Sequence, residues 1–256
     1  MTRKKSDFMF KANIGKEIVW FEKVNSTNLY ASKLGKDFAN DGLVVASKFQ
    51  TEGRGQRGNS WESNPGENLT FSILIFPRFL EVQKQFLISK FVSMGVFDVV
   101  NAIADDVSIK WPNDIYIKNC KVGGILIENS FSSEFMDSCT IGIGLNVNQQ
   151  VFPDDLPNPT SLASVTGNKL EIVEVLDSIL KSLNSRYQQL VDGEWEKLSE
   201  DYFRALYHKN DYYSYKANGK KFTARVVDVR ESGELVLETT DGEILEFGFK
   251  EVSFGD

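Results

Sequence analysis

The sequence has few cysteines and no long apolar run. Its two cysteines, Cys120 and Cys139, form no CxxC pair and have no histidine nearby, which favours inert thiols in a reducing compartment. No apolar stretch approaches the length of a membrane helix, and Phe8-Met9-Phe10 is too short for the apolar core of a signal peptide. The sequence therefore predicts a cytoplasmic protein without a membrane partner.

Runs of positive charge are also missing. The net charge is −7, and the one run of like charge is Arg3-Lys4-Lys5. Nucleic-acid binding draws most of its affinity from neutralised phosphates, which requires a local basic patch in an acidic chain. We therefore expect no nucleic-acid partner.

What is present is an ordinary globular composition, with 41% apolar and 25% charged residues. Strand and helix patterns alternate up to about residue 207, and short alternating strands with Ser232-Gly233 and Asp241-Gly242 turns follow. This pattern predicts an α+β domain over residues 1–207 and a small β-barrel domain over 208–256.

The first segment with chemical potential is the loop Gly53–Trp61. Its glycines let backbone N–H groups approach an anion, and Arg54 and Arg57 add forked cationic donors. It lacks the Gly-Lys-Ser/Thr of a Walker A loop and leads into a strand, unlike a Rossmann fingerprint. The loop alone fits a mobile surface loop as well as a phosphate-binding one.

The second segment is Lys110-Trp111-Pro112-Asn113-Asp114, between two predicted strands. A lysine at a strand end is placed more rigidly than one on a loop, and Pro112 favours an edge or bulge. A β-turn with a solvated lysine is the alternative.

Two glycine-containing strands form the remaining signals. Gly123-Gly124 follows Lys121 in an apolar strand, and Gly142 and Gly144 precede Asn146 at alternating positions. Such glycines leave a strand face bare, which allows a flat ligand to lie against it. A β-bulge or a packing ridge are the alternatives. Together the segments suggest a site for an anionic ligand with a flat base.

In these segments the sequence resembles the biotin–protein ligase family, also called holocarboxylase synthetase. Five motifs carry the resemblance, in the family's order: Ser26-Thr27-Asn28, Gln50 with Gly53–Trp61, Lys110–Asp114, Lys121–Glu128 and Gly142–Asn146.

The resemblance implies a mixed sheet like that of class II aminoacyl-tRNA synthetases, followed by an SH3-like barrel. It also implies a two-step reaction, in which biotin and ATP form biotinyl-5′-AMP and a lysine of a biotin carboxyl carrier protein then displaces AMP. Mg²⁺ would assist by bridging phosphate oxygens. A monomer or a homodimer is expected, and because the predicted catalytic strand begins at Ile18 no N-terminal DNA-binding domain is expected.

Site residues follow from the resemblance by position. Lys110 and Arg54 would be catalytic, and Asp114 is a candidate for Mg²⁺ or ribose contacts. The substrate-binding set is Ser26, Thr27, Asn28, Gln50, Gly53, Arg54, Gly55, Gln56, Arg57, Trp61, Lys110, Asn113, Lys121, Gly123, Gly124, Gly142, Gly144 and Asn146.

Within this set, the resemblance implies that Ser26, Thr27 and Gln50 bind the ureido end of biotin. Lys110 would contact the acyl-phosphate, with Lys121 as a second cation. Trp61 would stack near the adenine, and Asn146 would read the adenine edge.

Three positions depart from the family pattern. Gln56 and Asn59 stand where many members have basic residues, and Lys250 replaces a glycine, which puts a tight turn there in doubt. A lipoate ligase and a non-enzymatic binding module are the alternative functions. The Gly53–Gly58 loop and the Trp-Pro-Asn-Asp segment argue against the lipoate ligase.

Overall fold

The structure is a computed structural model that describes residues 13–35, 37–132 and 134–255, apart from the side chain of Arg57. The basic run Arg3-Lys4-Lys5 and the expectation for Phe8–Phe10 lie outside the described residues.

A seven-stranded mixed sheet forms the larger domain. Its strands are β1 (Glu17–Phe21), β2 (Leu43–Ser47), β3 (Leu69–Ile75), β4 (Val107–Lys110), β5 (Asp114–Ile117), β6 (Cys120–Ser132) and β7 (Phe135–Leu145). Their order is β1-β2-β3-β7-β6-β5-β4, with β1 and β2 parallel and all other neighbours antiparallel. The α+β class predicted from the sequence is confirmed.

Five α-helices accompany the strands in the described part of the chain: α1 (Thr27–Lys33), α2 (Phe86–Ile103), α3 (Leu162–Thr166), α4 (Ile172–Val191) and α5 (Trp195–Arg204). The sequence pattern predicts a helix that begins at 26–28 and further helices over 81–104, 170–191 and 195–206, so it misses only the short α3. Of the two N-cap candidates in the sequence, Ser26 and Thr27, the structure has Ser26, whose hydroxyl accepts the N–H of Leu29.

Helices cover both faces of the sheet. Leu43 and Val45 of β2 pack with Ala31 of α1, whereas Val44 and Ala46 point into the main core with α2 and α4. Because successive strand side chains face opposite sides, this double cover explains why all of β2 is buried. We call the side that carries α1 the α1 face.

Residues Val82–Ile103, which contain α2, are long and apolar enough to cross a membrane on length and composition alone. The expectation that no apolar stretch reaches this length is therefore wrong. Its apolar character has a physical reason, since α2 is a core helix. It packs against α4 and α5, and 61% of its most apolar window is buried inside the protein.

The C-terminal unit is a five-stranded antiparallel sheet of β8 (Tyr213–Ala217), β9 (Lys220–Val229), β10 (Leu235–Thr239), β11 (Ile244–Phe247) and β12 (Val252–Phe254). Its order, β11-β10-β9-β8-β12, fits the SH3-like barrel that the resemblance implied. The sequence pattern predicts strands over 221–229, 235–239 and 244–247 in this unit and omits β8 and β12. The domain boundary at residue 207 stays a prediction.

The turn after β4 attaches the C-terminal unit to the sheet. The Trp111 indole N–H donates to Gly233 O at 2.9 Å, and the Trp111 and Phe249 rings lie 5.3 Å apart. Phe249 also contacts Phe86 of α2, with 6.1 Å between ring centroids. These contacts bring the β11–β12 turn beside the Trp111–Asn113 segment.

The single histidine of the chain lies at this junction. His208 stacks between Tyr207 and Tyr213, with centroid distances of 3.8 and 3.6 Å. Burial, together with the nearby charge of Lys110, lowers the pKa of His208 to about 4. The imidazole is therefore neutral in the folded protein at pH values where the unfolded chain is already protonated.

We expect His208 to make stability depend on pH. Between roughly pH 6.5 and 4 the unfolded state binds a proton that the folded state does not, so the free energy of unfolding falls as pH falls. His208→Phe keeps an aromatic ring and removes the titration. A plot of the denaturation midpoint against pH should be less steep between pH 6.5 and 4 in this variant than in the wild type. Identical slopes would contradict the assignment.

Candidate ligand-binding site

A cavity of about 730 Å³ opens on the α1 face of the sheet, a size typical of small-molecule sites. Strand register builds its floor: Gly144 of β7 lies opposite Gly124 of β6, and Gly142 of β7 lies opposite Ser72 of β3, which is fully buried behind the cavity. Since side chains alternate along a strand, these residues share one face. The three glycines therefore leave the floor without side chains in the middle of an otherwise apolar sheet.

One end of the cavity holds a hydrogen-bonded polar network. Gln50 Oε1 accepts from the backbone N–H of Thr27 at 2.8 Å and from its hydroxyl at 3.1 Å. The Ser72 hydroxyl lies 2.7 Å from Thr27 Oγ1 and 2.6 Å from Asn28 Oδ1. Thr27, Asn28 and Ser72 are almost fully buried, so the network is fixed before any ligand arrives.

These bonds settle how the Gln50 amide is oriented. A backbone N–H can only donate, so the atom of Gln50 that faces Thr27 must be the carbonyl oxygen. The amide NH₂ is then left as a donor on a residue that lines the cavity. The Gln50 NH₂ can therefore donate a hydrogen bond to a neutral ligand that carries a carbonyl oxygen.

The glycines of the floor make room for protein side chains. A Cβ on Gly142 would lie 2.4 Å from Asn28 Oδ1, and one on Gly144 would lie 2.3 Å from Trp61 Cε2. A Cβ on Gly124 would also meet the Trp61 ring, 3.2 Å from Cζ3. The expectation that a flat ligand lies directly on this bare face is therefore corrected. The flat group on the glycines is the Trp61 indole, which becomes part of the cavity wall.

The segment Gly53–Trp61 folds as a small hairpin. Trp61 N–H donates to Gly53 O at 2.9 Å, and Gly55 N–H donates to Asn59 O at 2.7 Å. A Cβ on Gly53 would lie 2.2 Å from Trp61 O, so glycine is required by this close pairing. The hairpin therefore delivers both Trp61 and Arg54 to the cavity.

Arg54 is held by a carboxylate within the site. Its guanidinium Nη1 lies 3.1 Å from Glu128 Oε1, and Glu128 Oε2 accepts from the Asn28 amide at 2.9 Å. Glu128 thus links the hairpin to the polar network. The side chain of Arg57, also expected to bind substrate, lies outside the described residues.

Lys121 supplies a cation at the other end of the cavity. Its ammonium lies 2.8 Å from Asp114 Oδ1 and 5.9 Å from the Trp61 ring centroid. Its backbone is fixed on both sides, because Lys121 N–H donates to Asn158 O and Lys121 O accepts from Thr160 N–H. The side chain is half-buried, so its position is set by the fold.

Lys110, the residue expected to contact the reacting groups, does not line this cavity. Its ammonium lies over three aromatic rings, at 4.8 Å from Tyr116, 5.1 Å from Phe254 and 5.7 Å from Tyr207. Lys110 belongs to the edge strand β4, where the three aromatic rings attract its charge. This placement gives the expected catalytic role no support, and that role stays a prediction.

Two asparagines shape the same end as Lys121. Asn146 donates its amide to Thr160 O at 2.9 Å, which leaves Oδ1 as an acceptor on a residue that lines the cavity. The Asn113 amide donates to Ile125 O and ties the Trp111–Asn113 turn to β6. Asn113 therefore positions the turn and also lines the cavity.

Most of the expected residues converge on the cavity, and three do not line it: Lys110, Gly53 and Gly123. Gly53 lines a smaller neighbouring cavity, and Gly123 packs against Gly144 O. The expected residues that do line the main cavity are Ser26, Thr27, Asn28, Gln50, Arg54, Gly55, Gln56, Trp61, Asn113, Asp114, Lys121, Gly124, Gly142, Gly144 and Asn146.

Sequence reasoning missed several contributors. Ser72 and Glu128 belong to the polar network, and Lys250 reaches the cavity from the C-terminal unit. Ser72 could have been found, since it is a polar residue on an entirely buried strand. Lys250 could not, because only the packing of the two units brings it to the site.

Within the described ranges, no group of three or more histidine, cysteine or carboxylate side chains could hold a metal ion. Both thiols are free, and burial raises the pKa of the Cys139 thiol well above its usual range. Asp114 lines the cavity as a single carboxylate paired with Lys121.

Comparison with known proteins adds to this geometry. Residues 20–146 match the model of the biotin/lipoate A/B protein ligase family. The chain is 31% identical over 236 residues to the bifunctional ligase/repressor BirA of Bacillus spizizenii, covering 90% of this chain and 71% of the relative.

Two further comparisons agree with these. The chain is 30% identical over 181 residues to the biotin–[acetyl-CoA-carboxylase] ligase of Paracoccus denitrificans, covering 66% of this chain and 72% of that one. Its fold is similar to that of the biotin protein ligase of Aquifex aeolicus in complex with biotin and ATP, with a TM-score of 0.76 and 28% identity. That match covers 93% of this chain and 98% of the other.

Proposed function

The chain belongs to the biotin/lipoate A/B protein ligase family, and from its site we infer that it is a biotin–protein ligase. It activates biotin with ATP to biotinyl-5′-AMP and transfers the biotinyl group to a lysine of a biotin carrier protein. The observation that carries this conclusion is the division of one cavity into a hydrogen-bonding end around Thr27 and Gln50 and a cationic end at Lys121.

The hydrogen-bonding end suits the ureido group of biotin. That group has one carbonyl acceptor and two N–H donors, and it carries no charge. The Gln50 amide supplies a donor. The Thr27 hydroxyl, whose proton goes to Gln50 Oε1, keeps one lone pair as an acceptor, and the Ser26 hydroxyl, which accepts the Leu29 N–H, can still donate. Because the network is already ordered, binding does not have to immobilise these side chains.

The cationic end suits the reacting carboxylate and phosphate. In the first step a biotin carboxylate oxygen bonds to the α-phosphorus, and the bond to the bridging β-phosphate oxygen breaks to release pyrophosphate. Lys121 can hold both anions while charge develops between them. In the second step the carrier lysine amine, after losing a proton, bonds to the acyl carbon and AMP leaves.

The nucleotide base would lie beside Trp61. The indole forms one wall of the cavity, and its Nε1 is buried without a hydrogen-bond partner among the described residues. A buried donor of this kind needs an acceptor, which a ligand can supply. Asn146 Oδ1 adds an acceptor at the same end for an adenine amino group.

Magnesium is part of the proposal. In nucleotide sites Mg²⁺ takes one or two protein carboxylates, with phosphates and water completing its shell, so a single carboxylate fits this use. Asp114, a carboxylate that lines the cavity beside Lys121, is the residue that would hold it. The bound ion would neutralise charge on the departing pyrophosphate.

The experiment that tests this function is exchange of labelled pyrophosphate into ATP. We expect exchange with biotin, and only background exchange with lipoate or without an acid. Transfer to a biotin carrier protein should follow with the same preference. Exchange supported by lipoate and not by biotin would refute the proposal, and no exchange with either acid would favour a binding module.

A further inference from the structure

Lys250 is a lysine in a backbone conformation that favours glycine. It lies in the turn between β11 and β12 with φ +71°, in the left-handed region that side chains with a Cβ rarely adopt. The tight turn doubted from the sequence is therefore present without glycine. A glycine would fit this turn with less strain, so the lysine side chain calls for another explanation.

Lys250 lines the main cavity, although it belongs to the C-terminal unit. Its neighbour Phe249 packs on Trp111, which places Lys250 at the end of the cavity formed by Pro112, Asn113 and Asp114. Lys121 lies at this same end. Each of the two units therefore contributes a lysine to the lining of the cavity.

The two lysines differ in how far their charge is compensated. The Lys121 ammonium is paired with Asp114 at 2.8 Å. For Lys250, no carboxylate of the described residues lies within salt-bridge distance, and Glu251 next to it is engaged with the Gly248 N–H at 2.7 Å. An uncompensated ammonium attracts anions to its end of the cavity.

We infer that Lys250 binds the polyphosphate of the nucleotide, so that the C-terminal unit completes the ATP site. This inference rests on the proposed function. ATP brings several negative charges, and Lys121, already paired, neutralises only part of them. Lys250 then acts in binding, and its loss should raise the KM for ATP more than it lowers kcat.

The test compares three variants in biotin-dependent pyrophosphate exchange. Lys250→Gln and Lys250→Gly remove the charge, and Lys118→Gly is the matched control. Lys118 is also a lysine at positive φ in a β-turn, but it does not line the cavity. Both glycine variants change the net charge by the same amount. Each also removes the backbone strain of one lysine at positive φ, so both should raise the melting temperature.

We expect both Lys250 variants to raise the KM for ATP by about five- to tenfold at low salt, the scale of one partly solvated ion pair. The increase should shrink as ionic strength rises. The KM for biotin and inhibition by AMP, which lacks the polyphosphate, should stay within about twofold of wild type. Lys118→Gly should leave the KM for ATP unchanged.

An unchanged KM for ATP in both Lys250 variants, with an active wild type, would overturn the inference alone. Equal increases for ATP, biotin and AMP would also overturn it, because they would indicate a general distortion of the cavity. Lack of biotin-dependent exchange in the wild type would instead refute the proposed function.

Discussion

Lys121→Ala is expected to slow biotinyl-5′-AMP formation by about two to three orders of magnitude, the effect of losing one preorganised donor at the reacting centre. The Lys121 ammonium is fixed by Asp114, and its backbone is held by the 158–160 segment. Lys121→Arg should not restore the full rate, since a planar fork cannot replace a compact ammonium. Biotin-dependent pyrophosphate exchange measures this step.

Supplying the adenylate separates a chemical defect from a folding defect. Lys121→Ala given synthetic biotinyl-5′-AMP should transfer biotin to the carrier much faster than it does with biotin and ATP, because the first step is bypassed. A misfolded variant would fail with both. Loss of the half-buried ion pair with Asp114 should cost about 1 kcal/mol or less in stability.

Lys110→Ala is the comparison that distinguishes the two lysines. Its ammonium contacts Tyr116, Tyr207 and Phe254, so its loss should lower the free energy of unfolding by about 1–2 kcal/mol. Exchange should stay within a few-fold of wild type. If Lys110→Ala abolishes exchange and Lys121→Ala does not, the assignment made from the structure is wrong.

The choice between these lysines shows what the sequence could not provide. Both follow strand patterns and both stand near glycine or proline, so local reasoning cannot rank them. The decision depends on Tyr207 and Phe254, which are distant in sequence from Lys110. Tyr207 is held beside β4 by its N–H, which donates to Ile109 O, and Phe254 reaches Lys110 through the docking of the C-terminal unit. Contacts of this kind have no local signal.

Local sequence patterns predict those features whose stabilising contacts lie within a few residues along the chain. The N-cap at Ser26 follows from the hydroxyl at a helix start, and the buried strands follow from their apolar, branched residues. The missed strand β8 carries Tyr, Ser and Lys, and β12 has three residues, so neither has a clear hydrophobic alternation. Their existence depends on pairing with β9 and with each other.

The floor glycines are an intermediate case. The sequence indicated a flat ligand against the strand face that carries Gly124 and Gly144, with a β-bulge or a packing ridge as the alternatives. The structure places the Trp61 indole there, brought back by the hairpin from Gly53 to Trp61. The motif therefore describes a contact inside the protein that prepares the nucleotide end of the cavity.

Gly144→Ala is expected to reduce nucleotide use strongly while the protein still folds. The new Cβ would lie 2.3, 2.6 and 2.7 Å from Cε2, Cζ2 and Cδ2 of Trp61, closer than real Cβ contacts. A rigid indole cannot bend away, so the hairpin that carries it must shift. An overpacking cost of about 1–3 kcal/mol, if it falls on nucleotide binding, corresponds to a loss of about five- to 150-fold in kcat/KM for ATP.

A double-mutant cycle shows whether Trp61 transmits this effect. Trp61→Ala alone should also lower kcat/KM for ATP, because the aromatic wall is lost. In the Trp61→Ala background the clash no longer exists, so adding Gly144→Ala should change kcat/KM by less than about twofold. If the two losses multiply instead, the methyl group must act on another neighbour, and Trp61 would not be the group for which Gly144 leaves space.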